Sequence, residues 1–500
     1  MHDTAGAKPE SFSDLLELLS KLRLHEVSTP DQPRDRTTLR ARPLHSSMTL
    51  TVAPQGAADF KTIQDAVRCA RAGARILVRP GHYEEGIILD RDLEIYGEGP
   101  REEIIVENPD FHCFSLQSGH VTLRGLSIRS VGARKGNKRF GFDVGQGQAV
   151  LEDCDIVSDT LAGVSVHGPT AEATIRRCRI HDGGTSGIVF WDKGRGIVED
   201  CDIAANSVAG ILIRTGANPM IRRSKIQDGK MFGLMVDDHG GGTVVECDIT
   251  GNGVAGVQLL GPSASVIRQT RIHHHEKAGV LAVMNGEGTL EDCDIFANGT
   301  GILAAEGGHP ILHRCQIHHG TFGMFVRRRG RGLMEDCDIH SQARAGIQIT
   351  EWSNPVIRRC RIHDGDNIGV LVRDSGVGTL EESEIFGHAV AELGISEDGN
   401  PLIRRCRIHD GKKFGVSIQP KGQGKILDCD IFANAQAGIA INERGRPTIR
   451  QCRINRNGAE GIRAHPKALG SVEACDLTGN TAGAWFLQSG CRLQSVDNKT

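Results

Sequence analysis

The stretch RIHHHEKAG sets His273, His274 and His275 beside Glu276, and CQIHHGTFG adds His318 and His319. Imidazoles at this density are the material of a metal site, and these five histidines are its candidate ligands. A histidine followed by an aspartate and a glycine, as at His181, His363 and His409, could equally be a catalytic device copied along the chain. Two observations point elsewhere. HDG returns each time with RRCR just before it, and His318, His340 and His363 fall on one column of three successive repeats. A whole motif that recurs in step is what one turn of a repeating fold requires, and turn chemistry explains an Asp-Gly cluster before catalysis does. The spacings of structural zinc motifs are absent, and no cofactor is expected.

The elements that would hold these residues follow from a cysteine column. Cys154, Cys178, Cys201, Ser224, Cys247, Thr270, Cys293, Cys315, Cys337, Cys360, Ser383, Cys406, Cys429, Cys452 and Cys475 recur at steps of 22 to 24 residues. An isoleucine stands two residues after nearly every member, and a glycine column follows, from Gly163 and Gly187 to Gly346 and Gly369. Each glycine opens a short alternating strand such as GILI or GVLV. Strands separated by turns, with no helical period and no leucine skeleton, predict an all-β, right-handed parallel β-helix with one coil per repeat. Coils pair at ~4.8 Å, so the fifteen coils of this column give a rod of roughly 70 Å. The residues beside the cysteine alternate in sign from coil to coil: Arg177 and Arg179, Asp200 and Asp202, Arg223 and Lys225, Glu246 and Asp248. Opposite charges then meet across every coil boundary.

Composition narrows the function. The net charge is -3, with 59 basic and 62 acidic residues, so no nucleic-acid partner is expected. No stretch is apolar enough to cross a membrane, and the start of the chain does not read as a secretory signal. Cysteines spaced one per coil read as reduced core residues, which predicts a cytoplasmic protein. Residues 1–50 read as a helix, with Phe12, Leu15, Leu16, Leu19 and Leu22 on one face, and a linker. Residues 51–75 read as a capping strand and helix, 76–490 as the β-helix, and 491–500 as a tail.

The segments DFKTIQDAVRCARAGARILVRPGHYEEGIIL and LEIYGEG, with the repeated CDI..N..AGI.I, resemble the pectin-lyase-like superfamily, in particular its carbohydrate-binding and sugar-hydrolase repeat branch. The repeat is also similar to the β-helical part of certain F-box proteins, but no F-box stands in the first 50 residues. The resemblance covers roughly residues 50–490. It implies the fold, and it opens a carbohydrate-active enzyme (polysaccharide lyase, epimerase or glycoside hydrolase) as the alternative function. Carboxylates such as Asp182 and Asp228 lie two coils apart, or ~9.6 Å, beyond the spacing of typical glycosidase pairs. The 4% aromatic content also suits a long sugar groove poorly.

The strand after the glycine column carries a different signal. Its outward positions, which should be polar, read Val189, Leu212, Met235, Gln258, Leu281, Leu303, Phe325, Gln348 and Leu371, with Trp191, Leu260, Val283 and Ala305 two places on. An apolar stripe on an outer face predicts a binding surface. Arg327, Arg328 and Arg329 supply a charged rim, and Arg134, Lys135, Lys138 and Arg139 form a second basic insertion. The function expected is therefore a scaffold that binds a protein partner or a second copy of itself, with a polysaccharide as the alternative ligand.

Overall fold

The computed structural model describes residues 48–132 and 138–500. The chain winds into a parallel β-solenoid of about 19 turns, roughly 90 Å long at ~4.8 Å per turn. Every full turn contributes one strand to each of three sheets. In one turn these are Ala171–Arg176 in sheet A, Arg179–His181 in sheet B and Ser186–Trp191 in sheet C. Each strand pairs in register with its successor, so Ile175 faces Val198, Ile180 faces Ile203 and Ile188 faces Ile211. Sheet A alone holds 20 strands.

Each turn has three corners, and the sequence marks two of them plainly. The residue before the cysteine adopts a left-handed backbone, as in Arg177 (φ 49°), Asp200 (φ 54°) and Arg223 (φ 45°). The next corner does the same at Asp182 (φ 52°) and Asp228 (φ 54°). HDG therefore divides differently from the turn predicted: His181 ends the sheet B strand, and only Asp182 and Gly183 make the corner. The glycine column is required by close approach. A Cβ on Gly210 would lie 2.4 Å from Ile226 and 2.8 Å from the Gly233 carbonyl.

The cysteine column points inward, as expected, and all fifteen cysteines are free. The thiols donate to nearby carbonyls, Cys178 to Arg176 at 3.3 Å and Cys201 to Glu199 at 3.3 Å. Burial pushes Cys113 up to about 12 and Cys247 to about 11, so these thiols are poor nucleophiles. Charge alternation also takes the predicted form: Arg177 meets Asp153 at 2.8 Å, Arg223 meets Asp200 at 2.9 Å and Arg359 meets Asp336 at 2.7 Å. The hydrogen bond from Arg223 holds the Asp200 carboxyl below its ordinary value. Single exposed pairs contribute about 0–1 kcal/mol, so their main effect is to set register.

Both boundaries differ from the sequence reading. Thr49–Val52 pairs with Ala74–Val78 in sheet A, so the expected cap is already the first turn. The helix Ile63–Cys69 buries Ile63, Ala66 and Val67 in the core. Its free N–H groups at Ile63 and Gln64 donate to Glu85 at 2.7 and 2.8 Å. At the other end Arg492–Val496 pairs with Leu469–Glu473, so 491–500 continues the solenoid where a tail was expected. The helix expected around Phe12 to Leu22 lies outside the described residues. Among the described residues no helix is long and apolar enough to cross a membrane.

Candidate functional site

The histidines resolve into two separate structures. On the outer face of sheet B the last residue of each strand forms one ladder: His273, Phe296, His318, His340, His363, Phe386, His409 and Phe432. Successive rings stack with centroids 4.6 to 5.3 Å apart. The imidazole Nε2 of His273 reaches Asp248 at 2.8 Å, that of His318 reaches Asp294 at 2.9 Å, and that of His363 reaches Asp338 at 2.9 Å. Each acid sits one turn earlier, so the alternating charges also hold the rings. His340 is the exception. The preceding turn offers Gln316 in place of an acid, and burial with the neighbouring His318 and His363 lowers its proton affinity. Arg271 lies over Phe296 and Arg361 over Phe386.

His275 belongs to a ladder inside the corner between sheets B and C, where asparagines predominate. Its main-chain N–H donates to Asn298 at 3.0 Å, its Nδ1 accepts from the Asn252 N–H at 3.1 Å, and its Nε2 bonds the Ile249 carbonyl at 3.1 Å. Burial pushes it down to about 4, so it is neutral. This corrects the metal centre expected from sequence. His275 points inward, while His273 pairs with His274 and His318 with His319 through Nδ1 contacts of 2.6 Å, and the Phe296 ring separates the two pairs. Among the described residues no group of three or more His, Cys, Asp or Glu side chains is arranged to hold a metal ion.

The outward residues of sheet C behave as neither solvent-facing nor core residues. Val189, Leu212, Met235 and Leu281 are buried, while Leu303, Phe325, Leu371 and Trp191 are half-buried. The sequence predicted an exposed stripe; instead, a second hydrophobic cluster separate from the core runs from Ala162 to Ala305. Two cavities lie on this face on either side of Phe325. One, of about 340 Å³, is lined by Phe322, Phe325, Arg344, Gln348, Asn367, Ile368, Leu371 and Arg373. The other, of about 230 Å³, is lined by Val254, Lys277, Ala278, Leu281, Thr300, Leu303, Phe322, Phe325 and Arg327. Arg327 also lies over the Phe325 ring at 5.7 Å. Arg328 and Arg329 adopt the left-handed turn that leaves sheet C, and Arg328 reaches Glu306 at 3.3 Å. Of the expected rim, only Arg327 lines a cavity, with Arg344 and Arg373 beside the other.

Several polar groups escaped sequence reading because each breaks a column. His167 stacks on Trp191 at 4.6 Å and hydrogen-bonds Asp143 at 3.4 Å. Burial, partly offset by Arg214, raises Asp237 to about 6. Glu392 stands in the glycine column and is fully buried against His388. Arg139, expected as part of a basic insertion, is fully buried, with Ser130 at 2.9 Å and Asp159 at 3.0 Å. Arg134 and Lys135 lie outside the described residues.

A family model of the right-handed β-helix region matches residues 114–267, 209–357, 255–391 and 346–500. The chain belongs to this right-handed β-helix family. No curated protein matches it. Among solved structures the β-helix is similar to pectin methylesterase from carrot, with 14% identity, 51% of this chain and 85% of that chain covered, and a TM-score of 0.35. It is similar to the A-module of mannuronan C-5 epimerase from Azotobacter vinelandii at 12% identity, covering 87% and 93%, with a TM-score of 0.29. A PL6 family alginate lyase gives 7%, 90% and 100%, and 0.31. No activity transfers across such distances; the fold rests on strand register and the family match.

Proposed function

We propose that this β-helix is a binding scaffold, seating a protein partner on the outer face of sheet C between Leu303 and Leu371. The observation that carries the reading is that the stripe is bounded. The same outward column continues beyond Leu371 as Gly394, Ser417 and Ala440. Sheet C therefore pairs equally well without apolar outward residues, and the leucines and Phe325 are not a demand of the coil. An apolar floor with a basic rim is the arrangement in which interfaces concentrate binding energy. Free cysteines along the rod fit a reducing compartment such as the cytoplasm. A carbohydrate-active enzyme is the weaker reading, because no carboxylate is among the described residues that line either cavity.

The test is affinity capture with the full chain and with a Phe325→Asp, Leu371→Asp variant. Far-UV circular dichroism checks the fold. Two lost anchors should reduce recovery of a stoichiometric partner at least ~10-fold. A folded variant that retains every captured protein overturns the proposal. A concentration-dependent dimer in light scattering, abolished by the same changes, makes the partner a second copy.

A further inference from the structure

We propose that the partner segment seated on sheet C is an acidic amphipathic helix lying along the rod, with apolar anchors two helical turns apart and carboxylates on both flanks. The inference rests on the scaffold reading above and names the chemistry of that same partner.

The first argument is which backbone fits. The strands under this face pair on both sides within the solenoid, as Phe322–Arg327 does with Thr300–Ala305 and Ala345–Ile349. No strand edge is open there for an added strand, so a segment must dock through its side chains. An extended one would lay unpaired N–H and C=O groups on an apolar floor, whereas a helix satisfies its own. Spacing agrees. Leu303, Phe325 and Gln348 stand beside one another in successive turns. Leu303 lines one cavity and Gln348 the other, two turn spacings or ~9.6 Å apart. Residues i and i+7 of an α-helix share a face ~10.5 Å apart. Two large apolar side chains at that spacing reach both cavities, and a small residue between them clears the Phe325 ring.

The second argument is charge. Lys277, Arg327, Arg344 and Arg373 line the two cavities, and none of the described lining residues is acidic. The four cations stand at both ends of the strands. Lys277 and Arg344 come just before Ala278–Val283 and Ala345–Ile349, while Arg327 ends Phe322–Arg327 and Arg373 follows Ile368–Val372. A helix along the rod therefore meets positive charge on both flanks of its apolar stripe, on a chain whose net charge is only -3. Arg344 discriminates most. It is exposed and lies over the Phe322 ring at 6.0 Å. Its neighbours one turn before and after are Thr321 and Asn367, whereas Arg373 is engaged by Asp374 and Glu397, each at 3.0 Å. A carboxylate brought to Arg344 competes with no acid at those two positions, and the charge-assisted hydrogen bonds it gains are the strong kind.

The probes are two labelled synthetic peptides with leucines seven positions apart and alanines between them. They differ only in carrying glutamate or lysine on the flanks. Fluorescence anisotropy against the full chain at low salt should show the glutamate peptide binding at least ~10-fold more tightly, with the gap narrowing as salt rises. Arg344→Glu should weaken the glutamate peptide at least ~10-fold and strengthen the lysine peptide, a reversal that misfolding cannot produce. Lys425→Glu, at an exposed cation on sheet A, should change neither by more than ~2-fold. A central proline should cost the glutamate peptide at least ~10-fold. No binding of the glutamate peptide, equal binding of both signs, an unchanged affinity on Arg344→Glu, or indifference to proline overturns the inference. Partner capture decides the scaffold reading separately: a partner lost with Phe325→Asp and Leu371→Asp, while peptide sign makes no difference, keeps the scaffold and removes the acidic helix.

Discussion

Sheets B and C each send a column of large side chains outward along the same rod, and the two columns are satisfied in opposite ways. In sheet B the rings from His273 to Phe432 stack on one another, and a carboxylate one turn away holds most of the imidazoles. Everything such a ring can offer is used within the fold. In sheet C most outward residues are apolar side chains with no hydrogen bonds to make, and they vary in size from Val189 to Phe325. That irregularity leaves cavities on either side of Phe325. A regular outer column is a means of setting register; an irregular, bounded, apolar one has surface left for something else.

The largest effect separates inside from outside on a single strand. Ile302 is fully buried and Leu303, its neighbour, is half-buried on the outer face. Ile302→Ala should cost about 2–5 kcal/mol, whereas Leu303→Ala, which leaves the core packing intact, should cost about 1 kcal/mol. Urea unfolding followed by far-UV circular dichroism reads both. Equal losses would make the outer face of sheet C a structural layer and end its contrast with sheet B.

The corner between the two sheets responds to acid. His275 titrates at about 4 in the fold, against an ordinary value of 6.5. The unfolded chain therefore binds a proton that the folded chain refuses between these values. Stability rises with pH through this window, is fully present above about 6.5 and is lost progressively as pH falls toward 4. The difference amounts to about 3 kcal/mol. His275→Asn restores the residue found at Asn252 and Asn298, so it should remove this acid loss and change little at pH 7.5. Urea midpoints at pH 4.5 and 7.5 decide it; an unchanged pH slope would show that His275 is not held neutral. The outer His181 titrates with the reverse sign: Asp155 raises its value, so its contribution is present at low pH and fades as pH rises.

What repeats could be read from the sequence, and what interrupts could not. The cysteine, glycine and charge columns recur at one step and give the coil, its corners and its register. The ladder of sheet B was half visible: His318, His340 and His363 align by type, while Phe296 and Phe386 carry the same stack in another residue. His275 looked like its neighbours His273 and His274 because sequence adjacency hides a corner that turns one side chain inward. Glu392 in place of a glycine gave no signal, since its partner His388 is what makes it tolerable. The outer stripe was legible as a pattern, but its burial was not, because alternation gives the direction of a side chain and not what covers it.

The smallest effect is also the most direct test of whether sheet B is self-satisfied. Phe386 and His409 stack at 5.3 Å with planes 2° apart. If the ladder contributes through ring contact, the two residues must be coupled, and a stacked pair is worth about 0.5–1.5 kcal/mol beyond its buried area. Phe386→Ala, His409→Ala and the double change complete the cycle. The design leaves no stranded charge: without His409, Glu384 keeps Arg407 at 2.6 Å, and without Phe386, Arg361 stays 3.7 Å from Glu384. Urea unfolding of the four proteins at pH 7.5 should therefore give a coupling in that range, larger than that of Leu281 and Leu303, whose pairing is a plain apolar contact of about 0.2–1 kcal/mol. Additive losses in sheet B would mean that its rings merely sit side by side. Both outer columns would then be surfaces with binding capacity to spare, and the assignment of function to sheet C alone would fall.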